Sequence, residues 1–134
     1  MNSVTQNDPL GCGAACISFV AGINYTKTVS LLGKTKAKYK GYYCRDLTIA
    51  LSQLGFSYTY KYLKPQLKSR VYRDGVIVFI KRSKRCPVGH YLVRYEGYWM
   101  DPWINSDKDS DIAQARSGFR KRLPGKPIYA LFPQ

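Results

Sequence analysis

Apolar residues run almost without interruption from Ala14 to Ala21, and Gly22 stops them. A stretch apolar nearly all round predicts a helix in the middle of the fold rather than one on its surface. Thr26 to Leu32 predicts a shorter helix ending at Gly33, and Lys34 to Tyr42 reads as a basic loop containing glycine and tyrosine. Between Cys44 and Leu54, the residues Leu47, Ala50, Leu51 and Leu54 fall at helical spacing, with Gly55 as the stop. Phe56 to Tyr62 alternates as a strand does, and Lys64 to Tyr72, opened by Pro65, is a short basic helix or an extended connection.

The period then changes. Val76 to Ile80 is a continuous β-branched and aromatic run, which predicts a strand covered on both faces. His90 to Tyr95 and Tyr98 to Pro102 are two further strands joined by a Glu96-Gly97 turn. A polar loop, Asn105 to Asp111, leads to a short helix from Ile112 to Phe119, and Ile128 to Phe132 closes the chain as a strand. Helices in the first half and an antiparallel sheet in the second predict an α+β fold in a single domain spanning residues 1–134.

Composition adds a partner class. The 22 Lys and Arg against 8 Asp and Glu give a formal charge of +14. A field of that sign implies an anionic partner: nucleic acid met through a basic surface, an anionic membrane surface, or an acidic protein such as an inhibitor or immunity protein. The polar residues 1–7 do not read as a signal peptide, and no apolar run approaches the roughly 20 residues of a transmembrane span. Cys12, Cys16, Cys44 and Cys86 are not spaced as a disulfide framework, and they lack the Cys-x-x-Cys pair of a zinc site. The expectation is therefore reduced thiols in a cytoplasm, or in an effector domain delivered into one, with no metal and no cofactor.

The candidate chemistry centres on Cys12. Gly11 and Gly13 flank it, a proline-containing turn precedes it, and the apolar helix follows at once. A thiol at a helix N-terminus sits against the positive end of the macrodipole, which favours the nucleophilic thiolate, and flanking glycines leave room for a substrate backbone. Cys16 reads as a core residue or a resolving thiol, and Cys44 and Cys86 as structural. The base is narrowed to one residue, because His90 is the only histidine. If Glu96 and Gly97 are the two loop residues, His90 lies opposite Trp103 and diagonal to Asp101 on the same face, close enough for the carboxylate to orient the imidazole. A slip of one residue would move Asp101 to the other face. A thiolate, an imidazole and a carboxylate are the parts of an acyl-transfer site, and the Cys12 N–H and the Gln6 amide are candidates to hold the oxyanion.

Gln6, then Cys12-Gly13 opening an apolar helix, then Gly89-His90-Tyr91-Leu92-Val93 and Asp101-Pro102, resembles the papain-like peptidase domain of bacteriocin exporters, the double-glycine peptidases. Leu54-Gly55-Phe56 before an apolar strand fits the same pattern, and the resemblance covers about residues 6–103. It implies a papain-like fold in which N-terminal helices carry the nucleophile and pack on a C-terminal antiparallel sheet. It also implies Cys12 as nucleophile, His90 as base, Asp101 as orienter, Gln6 in the oxyanion hole, and a peptide or protein substrate. Members commonly carry Asp where this chain has Gly11, and they are fused to a transporter. The basic charge keeps a second reading in view, a toxin or effector module on the same scaffold that acts on nucleic acid as a ribonuclease.

Overall fold

A computed structural model describes residues 1–84, 86–107 and 109–134. Helices come first: α1 (Cys12–Ala21), α2 (Tyr25–Leu32), α3 (Lys34–Tyr39) and α4 (Cys44–Gln53). Strands β1 (Tyr58–Tyr62), β2 (Ile77–Ile80), β3 (His90–Tyr95), β4 (Tyr98–Asp101), β5 (Gly118–Arg120) and β6 (Pro127–Pro133) follow, with 3-10 helices at Pro65–Tyr72 and Ile112–Gln114. The strands form one antiparallel sheet in the order β1-β6-β2-β3-β4-β5. Among the described residues, no single helix is long and apolar enough to cross a membrane.

The sheet is covered on both faces, which is why the β2 segment is apolar at every position. α1 and α4 pack on one face, where Ile17, Leu47 and Leu51 meet Ile77, Val93, Met100 and Leu131. On the other face Val71 of the 3-10 helix joins Val78, Ile80, Leu92, Trp99 and Ala130. The polar exception inside α1, Ser18, is satisfied by a 2.8 Å hydrogen bond to Thr28 of α2. Gly22 caps α1 in the left-handed conformation, its N–H donating to the Ser18 carbonyl.

Two expectations change. The segment after Gly33 contains a helix, α3, rather than only a loop. Its single buried residue is Ala37, too little for an amphipathic stripe, and its Ala37 carbonyl accepts a 2.8 Å bond from the Leu10 N–H. Residues Ile112 to Phe119 do not make one helix. A 3-10 turn capped by the Asp111 carboxylate ends at Gln114, and Gly118–Arg120 adds to the sheet as β5, placing Phe119 against the rings of Phe19 and Tyr95. Short apolar runs do not distinguish helix from strand, and here the tertiary contact decides.

Glycine is required at Gly89, where φ is +80° and a Cβ would fall on the Phe79 ring. Gly97 has φ +83° but open space around it. Alanine at either position costs about 1–2 kcal/mol for the left-handed backbone. Urea unfolding should show Gly89→Ala losing about 1 kcal/mol or more beyond Gly97→Ala, the added cost of displacing the ring. Equal losses would mean that the Phe79 packing does not constrain the segment leading into His90.

Candidate active site

The β3–β4 hairpin is built on a turn with positive φ at both central residues, +47° at Glu96 and +83° at Gly97. Two-residue hairpin turns of this hand match the twist of the strands they join. Tyr95 pairs with Tyr98, Arg94 with Trp99 and Val93 with Met100. His90 opens β3 and Asp101 ends β4. The register places them diagonally, and His90 Nε2 lies 2.6 Å from Asp101 Oδ1.

Cys12 is the first residue of α1, two residues earlier than the apolar run indicates. Its thiol neighbours His90 closely enough to act on the charge of the ring, and because Nε2 faces Asp101, Nδ1 is the ring nitrogen that the carboxylate leaves open. The flanking glycines serve packing, which corrects the idea that they hold space for substrate. A Cβ at Gly11 would fall on the Tyr25 hydroxyl, which itself donates to Asp8 Oδ2 at 2.8 Å. A Cβ at Gly13 would lie 3.0 Å from Leu47 and 3.3 Å from Tyr91.

Gln6 is buried in the turn before the thiol, its Nε2 donating to the carbonyls of Asp8 at 3.0 Å and Pro9 at 3.2 Å. Its backbone N–H donates to the carbonyl of Pro102, so the residue after Asp101 anchors the segment that leads to Cys12. Among the described residues, the Cys12 backbone N–H has no hydrogen-bond acceptor, as expected for the first turn of a helix.

Burial by itself opposes a charge on His90, but the Asp101 and Cys12 side chains outweigh it and push the imidazole up to about 10. Burial also opposes charge on Asp101. There the hydrogen bond and charge of His90, with the Trp103 N–H at 3.0 Å and Arg120, hold the carboxyl below the ordinary carboxylate range. In the sequence Arg120 is the first of three consecutive basic residues, Arg120 to Arg122, with nothing local to set it apart. As the last residue of β5 it instead reaches Asp101 Oδ2 at 3.1 Å through Nη1, while its Nε donates to the Arg122 carbonyl. The missed signal was the strand itself, since pairing of Arg120 with Trp99 brings the guanidinium alongside β4.

The other thiols lie in different surroundings. Burial, then the neighbouring Cys12 and Asp101, pushes Cys16 well above the usual thiol range, and burial raises Cys44, which lies 3.7 Å from the Tyr91 hydroxyl. Cys86 is buried in the segment ahead of β3, with its N–H on Ser83 Oγ. Among the described residues, no group of three or more His, Cys, Asp or Glu converges to hold a metal.

No family model matches the sequence, and no curated protein is similar to it in sequence. Solved structures are similar in fold. One is a double glycine motif protease from an AMS/PCAT transporter, in complex with the leader peptide: TM-score 0.60, 17% identity, covering 98% of this chain and 89% of that one. Another is the peptidase domain of Streptococcus ComA, a bi-functional ABC transporter involved in a quorum sensing pathway: TM-score 0.59, 20% identity, covering 97% and 95%. The chain has the α+β fold of these transporter peptidase domains, with helices at the N-terminus packed on the antiparallel sheet.

Proposed function

We propose that the protein is a cysteine peptidase, or a related thiol acyl-transfer hydrolase, acting on a peptide or protein. The observation that carries this reading is the pairing of the His90 imidazole with the Asp101 carboxylate next to Cys12, the first residue of α1. The fold it shares with peptidase domains supports it, as does the leader peptide bound by one of them.

The chemistry follows from the arrangement. The Cys12 thiolate attacks the scissile carbonyl, and His90, protonated on Nδ1, gives that proton to the departing amine. Water, deprotonated by His90, then attacks the thioester and releases the acid and the thiolate. Asp101 keeps Nε2–H occupied and so fixes which nitrogen faces sulfur. The Cys12 N–H supplies one oxyanion donor, and Gln6 Nε2 supplies the other by exchanging its longer bond, to Pro9, for the substrate oxygen. Arg120 is a positioning residue that fixes the rotation of the Asp101 carboxylate. The only histidine is paired with Asp101 and neighbours the Cys12 thiol, which is why we prefer acyl transfer to the ribonuclease alternative. Cys12, Cys16 and Cys44 carry no disulfide, which suits a reducing compartment, the cytoplasm or a cytoplasm into which the domain is delivered.

A mixed peptide library analysed by mass spectrometry tests the activity. Cleavage should vanish in Cys12→Ala and fall by about 10³-fold or more in His90→Ala; cleavage that survives Cys12→Ala would overturn the reading. The His90–Asp101 pair also makes stability depend on pH. With His90 raised from its ordinary 6.5 to about 10, its contribution is complete below pH 6.5 and fades as pH rises through about 10. Asp101 is lowered from 3.8, so its contribution is complete above that value and is lost as pH falls through the lowered one. The stability gap between wild type and His90→Gln in urea unfolding should be widest between about pH 4 and 6.5 and narrow towards pH 10. A gap constant from pH 5 to 10 would contradict the charged pair.

A further inference from the structure

The eight acidic residues are distributed unevenly: Asp8, Asp46, Asp74, Glu96, Asp101, Asp107, Asp109 and Asp111. None falls between Gly55 and Arg73 or between Ile112 and Gln134. The first of these segments supplies β1 and the 3-10 helix Pro65–Tyr72, and the second supplies β5, β6 and the basic loop between them. The 3-10 helix and that loop, through Leu67, Val71 and Leu123, cover the sheet face opposite α1 and α4. The folded chain thereby places these two acid-free stretches together on one face, while a third, residues 9–45, forms the helices on the other.

A groove of about 790 Å³ opens on this face between the 3-10 helix, β1 and the end of β6. Lys61, Arg70 and Arg73 line it beside the rings of Tyr72 and Phe132, and no carboxylate side chain does. Among the described residues, the ion pairs are Lys36–Asp46, His90–Asp101 and Arg120–Asp101, so Lys61, Arg70 and Arg73 take part in none. Tyr72 is 59% exposed and is backed by the Arg94 guanidinium, 5.1 Å from its ring centroid, which itself lies 5.1 Å from the Trp99 ring. Tyr72 is therefore a supported aromatic platform rather than a loose surface ring. The groove lies towards the end of the sheet away from His90, since Thr59 pairs with Phe132 there while His90 pairs with Ile80 at the other end.

We infer that this groove binds single-stranded nucleic acid, the cations pairing with phosphates and Tyr72 stacking on a base. Cations flanking exposed aromatics suit a flexible strand, whose charge is met by the first and whose bases are met by the second. An acidic peptide would use the charge but leave the Tyr72 platform without a function. The binding is independent of the thiol chemistry, so it holds or fails separately from the proposed peptidase activity.

Fluorescence anisotropy with a labelled uridine 12-mer tests it on the full chain. Three phosphate contacts predict a slope of log K against log salt near −2. Lys61→Gln/Arg70→Gln/Arg73→Gln should weaken binding tenfold or more, and the charge-matched Lys27→Gln/Lys34→Gln/Lys38→Gln, on α2 and α3, less than threefold. Tyr72→Ala should weaken binding severalfold while Tyr72→Phe and Cys12→Ala leave it unchanged. Absence of binding at 50 mM salt, or equal losses from both triple variants, would overturn the site. So would a silent Tyr72→Ala together with equally tight binding of a poly-glutamate peptide, which would make the occupant an acidic protein.

Discussion

The Glu96–Gly97 turn sets the register of β3 on β4, and through that register it decides whether an imidazole and a carboxylate meet at all. A non-glycine residue with φ of +47° is uncommon, and here the Glu96 N–H is held by Asp74 Oδ1 at 2.9 Å. One residue more in the loop would send Asp101 to the face packed by α1. The 2.6 Å contact between His90 and Asp101 is therefore a consequence of backbone geometry several residues away. It is also exacting: removing one member of a buried charged pair typically costs about 3–5 kcal/mol, because the other is left without its partner. Arg120 and the Trp103 N–H complete the environment of the carboxylate, so β5 and the chain beyond β4 both depend on the same turn.

The thiol reaches that pair by a different route. Cys12 is placed by the turn at Asp8 to Gly11, and that turn is clasped from several directions: by the Gln6 amide, by the Tyr25 hydroxyl on Asp8, and by α3 through the Leu10 N–H. Gln6 connects the two halves of the site, because its backbone N–H is bonded to Pro102 while its side chain binds the turn before Cys12. The helical and sheet halves of the chain are thus joined at the candidate site as well as through their packed cores.

What the sequence made legible was whatever follows from periodicity and turn chemistry. The continuous apolar run of α1, the spacing in α4, the doubly covered β2 and the hairpin register could all be read from residue order, and the register carried the diagonal placement of His90 and Asp101 with it. What could not be read was held by long-range contact. α3 buries only Ala37, and β5 is three residues whose place is set by pairing with β4 and by the packing of Phe119. Arg120 was hidden for the same reason, since nothing local distinguishes it from Lys121 or Arg122. The glycines around Cys12 suggest room for a substrate in the sequence, and the packing corrects that: Tyr25, Leu47 and Tyr91 occupy the space. The acid-free face was present in the sequence as spacing between carboxylates, but only the fold shows that the two stretches lie together.

The central claim is that Cys12 and His90 act as one coupled unit, and the rate of Cys12 alkylation by iodoacetamide at pH 6, followed by peptide mass spectrometry, tests it most directly. In the wild type Cys12 should react well ahead of Cys16 and Cys44, and in His90→Gln its rate should fall by tenfold or more while the other thiols keep theirs. An unchanged Cys12 rate in the variant, or one no faster than Cys44 in the wild type, would contradict the account.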